Sequence, residues 1–491
     1  MTLPVAAPAI RTDLYIDGRW RPAQAGDRRP VINPATEEVV AEAAEGALAD
    51  VDAALDSAKR AQPAWESLPA IERARYLHAI ASHVRDQLEP LARLVVMEQG
   101  KTIAEARGEV GGTAEFFDYF AEFARRLEGE LLPSDNRDEH VMVLPIPHGV
   151  VVGIMPWNYP SVVCARKAAP ALVTGNTVVL KPHEETPLSA LALAAIADDI
   201  GLPAGVLNVV TGPGETVGEA LVADPRTDYV TMTGSTEVGK RILEAAAKRV
   251  LPVSLELGGK APFIVLADAD LDLAVRSAVS ARFMNCGQVC TCNERTFVQA
   301  EVYERFLDRY LEQVRRIRVG DPFDPATDMG PKVSRVELDK VDAIVRRAVA
   351  DGATAVIGGD ELRGDRYERG FWYAPTVLTN VRPGMEVMER EIFGPVSPVM
   401  PFESLDQVLE LTNSSPYGLS AYLFTRDLST AMRVARDLEY GELYINKIGP
   451  EQLQGYHTGF RESGVGGDDG KHGLEGYMRR KTVYLNYARQ Q

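Results

Sequence analysis

The chain has 491 residues, of which 45% are hydrophobic and 25% are charged, proportions that are ordinary for a globular protein. Its length exceeds that of one ordinary hydrophobic core and predicts two or three domains. The net charge of -17 repels phosphate backbones and anionic lipids, so it argues against binding to nucleic acid or to a membrane surface.

Cysteine usage and apolar runs indicate the compartment. The chain has 4 cysteines, which are too few for a disulfide framework. Neither a Cys-x-x-Cys pair nor a histidine cluster accompanies them, so no metal site is expected. Residues 1–18 lack the basic region and long apolar stretch of a signal peptide, and the apolar run at 188–200 is too short to span a bilayer. These features predict a cytoplasmic protein.

The first part of the chain predicts a helical segment followed by a parallel sheet. Between residues 49 and 126, apolar residues recur at a spacing of three to four, as in Val51, Leu55 and Ala58, which is typical of amphipathic helices. After residue 129, short apolar runs alternate with helix-forming sequence. The predicted strands lie at 150–154, 177–180, 207–210 and 229–232. This rhythm indicates βαβ units and a parallel sheet with helices on both faces.

A second unit of the same kind begins near residues 257–259. Its predicted elements are strands at 263–266 and 296–298 and helices at 271–283, 302–317 and 333–350. Two further strand-like runs, 141–144 and 482–485, stand apart from both units. Such runs commonly pair with each other or with another subunit, and local edge strands are the alternative.

The run from Asn285 to Cys290 carries a candidate nucleophile. A thiol that closes a glycine-containing turn can approach a substrate carbonyl, and the thiolate is the reactive form. A buried structural cysteine is the alternative interpretation.

Two polar residues are candidates to assist such a thiol. Glu256 is surrounded by apolar residues, which raises the proton affinity of a carboxylate and suits it to act as a general base. Asn158 follows a predicted strand, and its amide can donate to a developing oxyanion. The alternatives are a buried structural glutamate and a turn asparagine.

Nucleotide-binding signals are present but unusual. The G-x-G-x-x-G fingerprint is absent, because the last glycine of the segment 212–218 comes one residue too late. The strand at 229–232 leads into Gly234 and Ser235 at a helix start, where free amides attract phosphate; a simple N-cap is the alternative.

Lys181 and Glu184 follow another predicted strand. The lysine can bond ribose hydroxyls, and the carboxylate would accept from a free 2′-hydroxyl and repel a 2′-phosphate, which favours NAD over NADP. A solvated surface pair is the alternative.

Together these segments resemble the aldehyde dehydrogenase superfamily from about residue 14 to residue 487. The matching motifs are Pro156-Trp157-Asn158, Lys181-Pro182, Thr233-Gly234-Ser235, Glu256-Leu257-Gly258-Gly259, Gly287-Gln288-Val289-Cys290 and Glu391-Ile392-Phe393-Gly394-Pro395. The resemblance implies an α/β fold with two Rossmann-like, doubly wound parallel-sheet domains and a small bridging β-sheet that mediates oligomerisation. It implies an NAD-binding domain at 1–128 and 148–257, a catalytic domain at 258–475, bridging strands at 129–147 and 476–491, and a homodimer or homotetramer.

The resemblance also implies a reaction, the NAD(P)-dependent oxidation of an aldehyde to a carboxylate. Cys290 would attack the aldehyde to give a thiohemiacetal, whose oxyanion the Asn158 side chain and the Cys290 N–H would hold. Hydride transfer to nicotinamide would leave a thioester, and Glu256 would activate the water that hydrolyses it. The presence of Glu256 favours hydrolysis over transfer to coenzyme A.

By the same resemblance, Glu391 bonds the nicotinamide ribose, Phe393 packs beside the nicotinamide ring, and Lys181 with Glu184 holds the adenine ribose. The other implied cofactor contacts are Trp157, Gly234, Ser235 and Leu257.

Within the superfamily, the stretches 165–172, 290–295, 454–457 and 463–474 are similar to bacterial lactaldehyde/glycolaldehyde dehydrogenases. In that group an arginine, a glutamate and a histidine at the substrate mouth match Arg166, Glu451 and His457. Such groups suit a short aldehyde with a neighbouring hydroxyl, because they would be costly to leave unpaired. A salt bridge between Arg166 and Glu451 is the alternative.

The sequence departs from that group at Thr291, at Cys286 and in the loop 446–450. A larger sugar-derived hydroxyaldehyde therefore stays open as a substrate. So does a semialdehyde such as succinic semialdehyde, whose carboxylate Arg166 would bind. A non-catalytic binding protein with this fold is disfavoured by the complete set of nucleophile, oxyanion donor and base.

Overall fold

The computed structural model describes residues 10–488. Residues 1–9 and 489–491, which belong to the expected first domain and bridging strands, lie outside the described residues. Within residues 10–488, none of the helices combines the length and apolar character needed to cross a membrane.

The first large sheet has five central parallel strands with antiparallel strands at its edges. In the described chain its strands follow the spatial order Gly464–Val465, Val253–Glu256, Tyr229–Thr233, Val150–Ile154, Thr177–Lys181, Leu207–Val209, Leu14–Ile16 and Arg19–Arg21. The four predicted strands of this sheet are confirmed. The order in which successive strands are added reverses at Val150–Ile154: Thr177–Lys181 and Leu207–Val209 lie on one side of it, and Tyr229–Thr233 and Val253–Glu256 lie on the other. In open α/β sheets, ligands bind beyond the carboxyl ends of the strands at such a point.

Alternation along the central strand explains why helices cover both faces of this sheet. Val151 packs into one buried cluster, whereas Val150 and Val152 pack into another. Successive side chains of a strand point to opposite faces, so a run of valines requires cover on both sides. The helices before this strand are Leu48–Ser67, Ala70–Asp86, Leu88–Gln99 and Ile103–Ala121. Those that follow, up to the second sheet, are Pro160–Val173, Leu188–Asp199, Glu219–Ala223 and Thr236–Ala247.

The second large sheet is mostly parallel, with one antiparallel edge strand. Among the described residues its strands follow the order Thr354–Ile357, Thr376–Thr379, Val396–Phe402, Arg295–Gln299, Pro262–Val265, Ser420–Phe424 and Glu442–Ile445. The later helices are Leu271–Phe283, Tyr303–Val314, Arg335–Ala350, Glu386–Glu389, Leu405–Asn413, Leu428–Asp437 and Gly470–Glu475. The predicted strands and helices of this unit are confirmed.

The two isolated strand-like runs pair with each other. Glu139–Pro147 and Met478–Asn486 run antiparallel with Val141 opposite Tyr484, and Glu130–Leu132 adds a third strand. A separate hairpin, Arg28–Ile32 with Val39–Ala44, lies in a stretch for which the sequence predicted no element. The fold thus has two α/β units and a small antiparallel sheet, and the exact domain boundaries stay a prediction.

A buried carboxylate ties the second unit together. Glu294 is 1% exposed and accepts hydrogen bonds from Lys260 Nζ at 2.8 Å and Arg282 Nη1 at 2.9 Å. It also accepts from the backbone N–H groups of Ile392 at 2.7 Å and Phe393 at 3.2 Å. One side chain therefore links the helix Leu271–Phe283, the start of two strands and the loop at 392–393. Burial by itself would raise the pKa of Glu294, but Lys260 and Arg282 lower it to about 2.

The variant Glu294→Gln leaves both cations buried without a counter-charge, so we expect the free energy of unfolding to fall by about 3 to 5 kcal/mol. Thermal or urea unfolding measures this loss, with the exposed Glu301→Gln as control. The carboxylate stabilises the fold above the pKa it has in the unfolded chain, and this contribution fades as the pH falls toward about 2. The difference between wild type and variant should therefore shrink in acid. An unchanged unfolding midpoint at neutral pH would contradict this role.

Candidate active site

A cavity of about 1040 Å³ opens beyond the carboxyl ends of the central strands, where the two large units meet. The following sequence-predicted site residues line it: Trp157, Asn158, Arg166, Gly234, Ser235, Leu257, Cys290, Glu391, Phe393 and Glu451. Four others are not among the lining residues of this cavity: Lys181, Glu184, Glu256 and His457.

The loop before Cys290 has a backbone conformation that is rare for residues with side chains. Asn285, Cys286 and Gly287 have φ angles of 48°, 56° and 70°. A non-glycine residue in this left-handed region is strained, and such strain persists only where the surroundings determine the conformation. A Cβ atom at position 287 would collide with the backbone carbonyl of Gly394, so glycine is required there.

Hydrogen bonds from a distant helical region hold this loop. The Asn285 N–H donates to Glu105 Oε1 at 2.7 Å, and Asn285 Oδ1 accepts from Gln99 Nε2 at 3.0 Å. On the other side, Arg282 Nη2 donates to the carbonyls of Gly287 at 3.1 Å and Gly394 at 2.6 Å. These bonds fix the turn that presents Cys290.

Asn158 is anchored to the same loop. Its Nδ2 donates to the carbonyl of Gln288 at 2.9 Å, and its own carbonyl accepts from Lys101 Nζ at 2.9 Å and from Asn285 Nδ2 at 3.1 Å. Lys101 pairs with Glu109 at 2.6 Å, and both side chains are fully buried. The amide therefore lies in a fixed position beside the nucleophile loop, with its second N–H available to a ligand.

Cys290 differs from the other three thiols in its exposure. It is partly exposed, whereas Cys164, Cys286 and Cys292 are buried. Burial raises the pKa of Cys286 and of Cys292 to about 12, so both stay protonated and unreactive near neutral pH. Among these thiols, Cys290 is the one placed to react.

Glu256 lies at the end of its strand, behind the cavity wall. It is 2% exposed, and neither carboxylate oxygen has a hydrogen-bond partner among the described residues. Burial raises the pKa of this carboxyl well above its usual value. A carboxylate in this environment binds a proton strongly and is suited to general-base chemistry.

His457 lies close to both Glu256 and Cys290. Its Nε2 lies 3.7 Å from Glu256 Oε2, and its Nδ1 lies 3.1 Å from Glu442 Oε1. Burial alone would lower the pKa of His457, but its partners Cys290 and Glu442 raise it well above the usual value. The buried imidazole therefore carries a positive charge next to the thiol and the candidate base.

At the other end of the cavity, Glu391 and Phe393 lie on the loop held by Glu294. Glu391 Oε1 accepts from the Gly259 N–H at 2.9 Å, and burial raises the pKa of this carboxyl to about 8. The Phe393 ring meets Trp157 edge to face, with centroids 5.2 Å apart. An aromatic wall and a buried carboxyl can hold a ring and its neighbouring hydroxyls.

Lys181 and Glu184 form a pair at the end of the neighbouring strand. Lys181 Nζ lies 3.4 Å from Glu184 Oε1, and Glu184 accepts from the Gly214 N–H. Burial acts to raise the pKa of Glu184, but Lys181 lowers it below its usual value. Glu184 therefore carries a negative charge at neutral pH.

Arg166, which lines the cavity, is engaged by two acids. Its Nη2 pairs with Glu451 and lies 3.1 Å from Asp469 Oδ2, and its guanidinium lies 5.1 Å from the Phe116 ring centroid. Burial by itself would raise the pKa of Glu451, but Arg166 lowers it to about 2. Arg166 Nε and both Asp469 oxygens have no hydrogen-bond partner among residues 10–488.

Several residues that shape the site were not expected from the sequence: Lys101, Glu109, Lys260, Arg282, Glu442 and Asp469. Each is a charged residue that the fold buries wholly or largely against an opposite charge. A lone charged residue in a sequence is more often a solvated surface group, so no local signal distinguishes these positions.

Comparison with known proteins shows the family. The sequence pattern of the aldehyde dehydrogenase family matches residues 20–483. The chain is 47% identical to the 3,6-anhydro-alpha-L-galactose dehydrogenase of Vibrio sp. (strain EJY3), over 97% of this chain and 99% of that protein. It is 45% identical to the lactaldehyde dehydrogenase of Escherichia coli (strain K12), over 99% of this chain and 100% of that protein.

A solved structure agrees in fold over nearly the whole chain. A 3,6-anhydro-L-galactose dehydrogenase in complex with NAP superimposes with a TM-score of 0.95 at 47% identity, covering 96% of this chain and 99% of that one. The similarity confirms the family and the fold that the motifs predicted. The chain belongs to the aldehyde dehydrogenase family and is an NAD(P)-dependent enzyme that oxidises an aldehyde.

Proposed function

We propose that this enzyme oxidises a hydroxylated aldehyde to its carboxylate with NAD, through a thioester on Cys290. The observation that carries the proposal is one cavity lined by a partly exposed thiol, Cys290, together with Asn158, Glu391 and Phe393. Nucleophile, oxyanion donor and cofactor residues thus face a single space, with Glu256 buried behind it.

The chemistry follows from the positions of the side chains. The Cys290 sulfur bonds to the aldehyde carbon, and the carbonyl oxygen becomes an oxyanion that accepts from Asn158 Nδ2, an interaction typically worth ~10² to 10³ in rate. NAD supplies the hydride acceptor when it is bound. Loss of hydride from the carbon leaves a thioester on Cys290. Glu256 removes a proton from water, the water oxygen bonds to the thioester carbon, and the C–S bond breaks to release the carboxylate.

The cavity has polar partners that fit a nucleotide cofactor. The Thr233 hydroxyl is buried without a hydrogen-bond partner among the described residues. The helix Thr236–Ala247 begins beside it, capped by Ser235, which accepts from the Val238 N–H at 3.4 Å. The remaining amides at this helix start attract phosphate. Glu391 and Phe393 would hold the nicotinamide end.

A charged Glu184 supports NAD rather than NADP as the cofactor. The carboxylate lies with Lys181 at the position where the adenine ribose is expected, and its charge would repel a 2′-phosphate. Its pairing with Lys181 keeps it ionised.

An unpaired donor on Arg166 supports a hydroxylated substrate. Arg166 lines the cavity, and its Nε has no hydrogen-bond partner among the described residues. A substrate hydroxyl can accept from this N–H. Lactaldehyde and 3,6-anhydro-L-galactose, on which the two relatives act according to their names, are both hydroxylated aldehydes.

The same charges disfavour a semialdehyde as substrate. An ω-carboxylate requires a free cation, but Arg166 already pairs with Glu451 and lies 3.1 Å from Asp469. A further carboxylate at this place would also lie near the charged Glu451, and like charges in a buried site repel strongly.

The small antiparallel sheet supports assembly into a homodimer or homotetramer. It exposes a set of apolar side chains, namely Leu131, Leu132, Leu144, Tyr484 and Leu485. Large apolar side chains exposed on one small sheet are a feature of protein–protein contacts.

The mechanism predicts different outcomes for two substitutions. Cys290→Ala should form no NADH with any aldehyde. Glu256→Gln should release about one NADH per active site in a rapid burst and then turn over on the order of 10² to 10⁴ times more slowly than wild type, because the thioester accumulates. Stopped-flow absorbance measures both phases, with the exposed Glu215→Gln as control. Normal steady-state turnover in Glu256→Gln would show that another group activates water.

Glu184→Gln should weaken the discrimination between the two cofactors. Removing one charge next to a 2′-phosphate changes the interaction by on the order of 1 to 2 kcal/mol, so the ratio of kcat/KM with NAD to kcat/KM with NADP should fall about tenfold. The matched control is again Glu215→Gln. If the ratio is the same in wild type and Glu184→Gln, this carboxylate does not select the cofactor.

The substrate proposal predicts a preference within two matched pairs of aldehydes. kcat/KM with lactaldehyde should exceed that with propanal by about tenfold to a hundredfold, because an unpaired buried polar group costs about 1 to 3 kcal/mol. Butanal should be oxidised faster than succinic semialdehyde. Glycolaldehyde and 3,6-anhydro-L-galactose in the same steady-state assay define the preferred size. Equal rates with lactaldehyde and propanal, or a preference for succinic semialdehyde, would reject the proposal.

A further inference from the structure

A histidine and a second glutamate lie behind the candidate base. His457 Nε2 is 3.7 Å from Glu256 Oε2, and His457 Nδ1 is 3.1 Å from Glu442 Oε1. His457 and Glu256 are both 2% exposed. The three side chains therefore form a buried series from Glu442 through His457 to Glu256, on three segments that are far apart in sequence.

The surroundings of His457 favour its charged form. Carboxylates lie near both ring nitrogens, and only the imidazolium has a proton on each nitrogen. The ionisable groups that face it are Glu442 on one strand, Glu256 on another, Cys290 on the nucleophile loop, Glu451 on the loop above the cavity, and Asp469 beside Arg166. Most of these groups are acids, and their negative charges stabilise the protonated form of the imidazole.

The other cations that influence Glu256 already pair with other acids. Lys167 and Arg166 both act on this carboxyl, but Lys167 Nζ lies 2.5 Å from Asp468 Oδ2 and Arg166 lies 3.1 Å from Asp469 Oδ2. His457 Nε2 lies 3.7 Å from Glu256 Oε2. It therefore supplies the counter-charge closest to the base.

We propose that His457, whose Nδ1 lies close to Glu442, is a positioning residue that keeps the Glu256 carboxylate charged and positioned for thioester hydrolysis. This inference rests on the proposed role of Glu256 as the base. During hydrolysis Glu256 accepts one proton from water, the resulting C–O bond replaces the C–S bond, and His457 keeps its own proton throughout. This role differs from the contact with substrate that the family resemblance implies for His457.

The test isolates thioester hydrolysis from both aldehyde and cofactor. p-Nitrophenyl acetate acetylates the reactive thiol of the full-length enzyme, and the excess reagent is removed. Intact mass spectrometry then follows the loss of the acetyl group as a function of pH. The comparison includes wild type, His457→Gln, Glu442→Gln, Glu256→Gln and the control His472→Gln, whose side chain is 69% exposed.

In wild type, hydrolysis should accelerate with rising pH as Glu256 loses its proton. In His457→Gln the rising limb should move to higher pH by about one unit or more, since removing a neighbouring opposite charge typically shifts a carboxyl by this amount. At a fixed pH on that limb, hydrolysis becomes about tenfold slower. Glu442→Gln should shift the limb in the same direction by less, and His472→Gln should leave it unchanged.

Coincident pH profiles for wild type and His457→Gln would overturn the proposal. The proposal would also fail if His457→Gln raised the KM for aldehyde but left the pH profile of hydrolysis unchanged. If His457→Gln does not fold, an unshifted limb in Glu442→Gln has the same consequence. Failure of the proposed function gives a different result: Glu256→Gln would then hydrolyse its acetyl group as fast as wild type.

Discussion

The site depends on one backbone constraint, the turn from Asn285 to Gly287 that presents Cys290. Three successive residues in the left-handed region are unfavourable on their own, so the turn exists because its surroundings hold it. The helical region at 99–105 holds one side through Asn285, and Arg282 holds the other through backbone carbonyls. Because Asn158 is bonded to the same loop, the proposed nucleophile and the proposed oxyanion donor are positioned as one unit.

Two buried acids of this protein, Glu294 and Glu256, lie in opposite environments. Glu294 is saturated by two cations and two backbone amides, and its pKa is lowered to about 2. Glu294 has a structural role that requires no change in its protonation. Glu256 has no hydrogen-bond partner among the described residues, and burial raises its pKa. The second environment suits the base role proposed for Glu256, because full pairing with cations would lower the basicity of the carboxylate.

Sequence patterns predicted the strands and helices whose formation depends on residues close together in the chain. The run at 150–154 is a strand because its β-branched residues suit a sheet buried on both faces. The short strands Leu14–Ile16 and Gly464–Val465 were not predicted, because they exist only through pairing with distant strands. Motifs predicted the lining of the cavity by Cys290, Asn158 and Glu391. They did not predict that His457 lies near Glu256, which comes 201 positions earlier in the chain (457 minus 256).

Identification of the covalent intermediate tests most directly whether Cys290 carries the acyl group. Glu256→Gln is mixed with NAD and lactaldehyde, quenched with acid after the burst, and examined by intact mass and peptide mapping. We expect a mass increase equal to the acyl group in place of the thiol hydrogen, located on Cys290. NADH formation without such an adduct, or an adduct on Cys286 or Cys292, would contradict it.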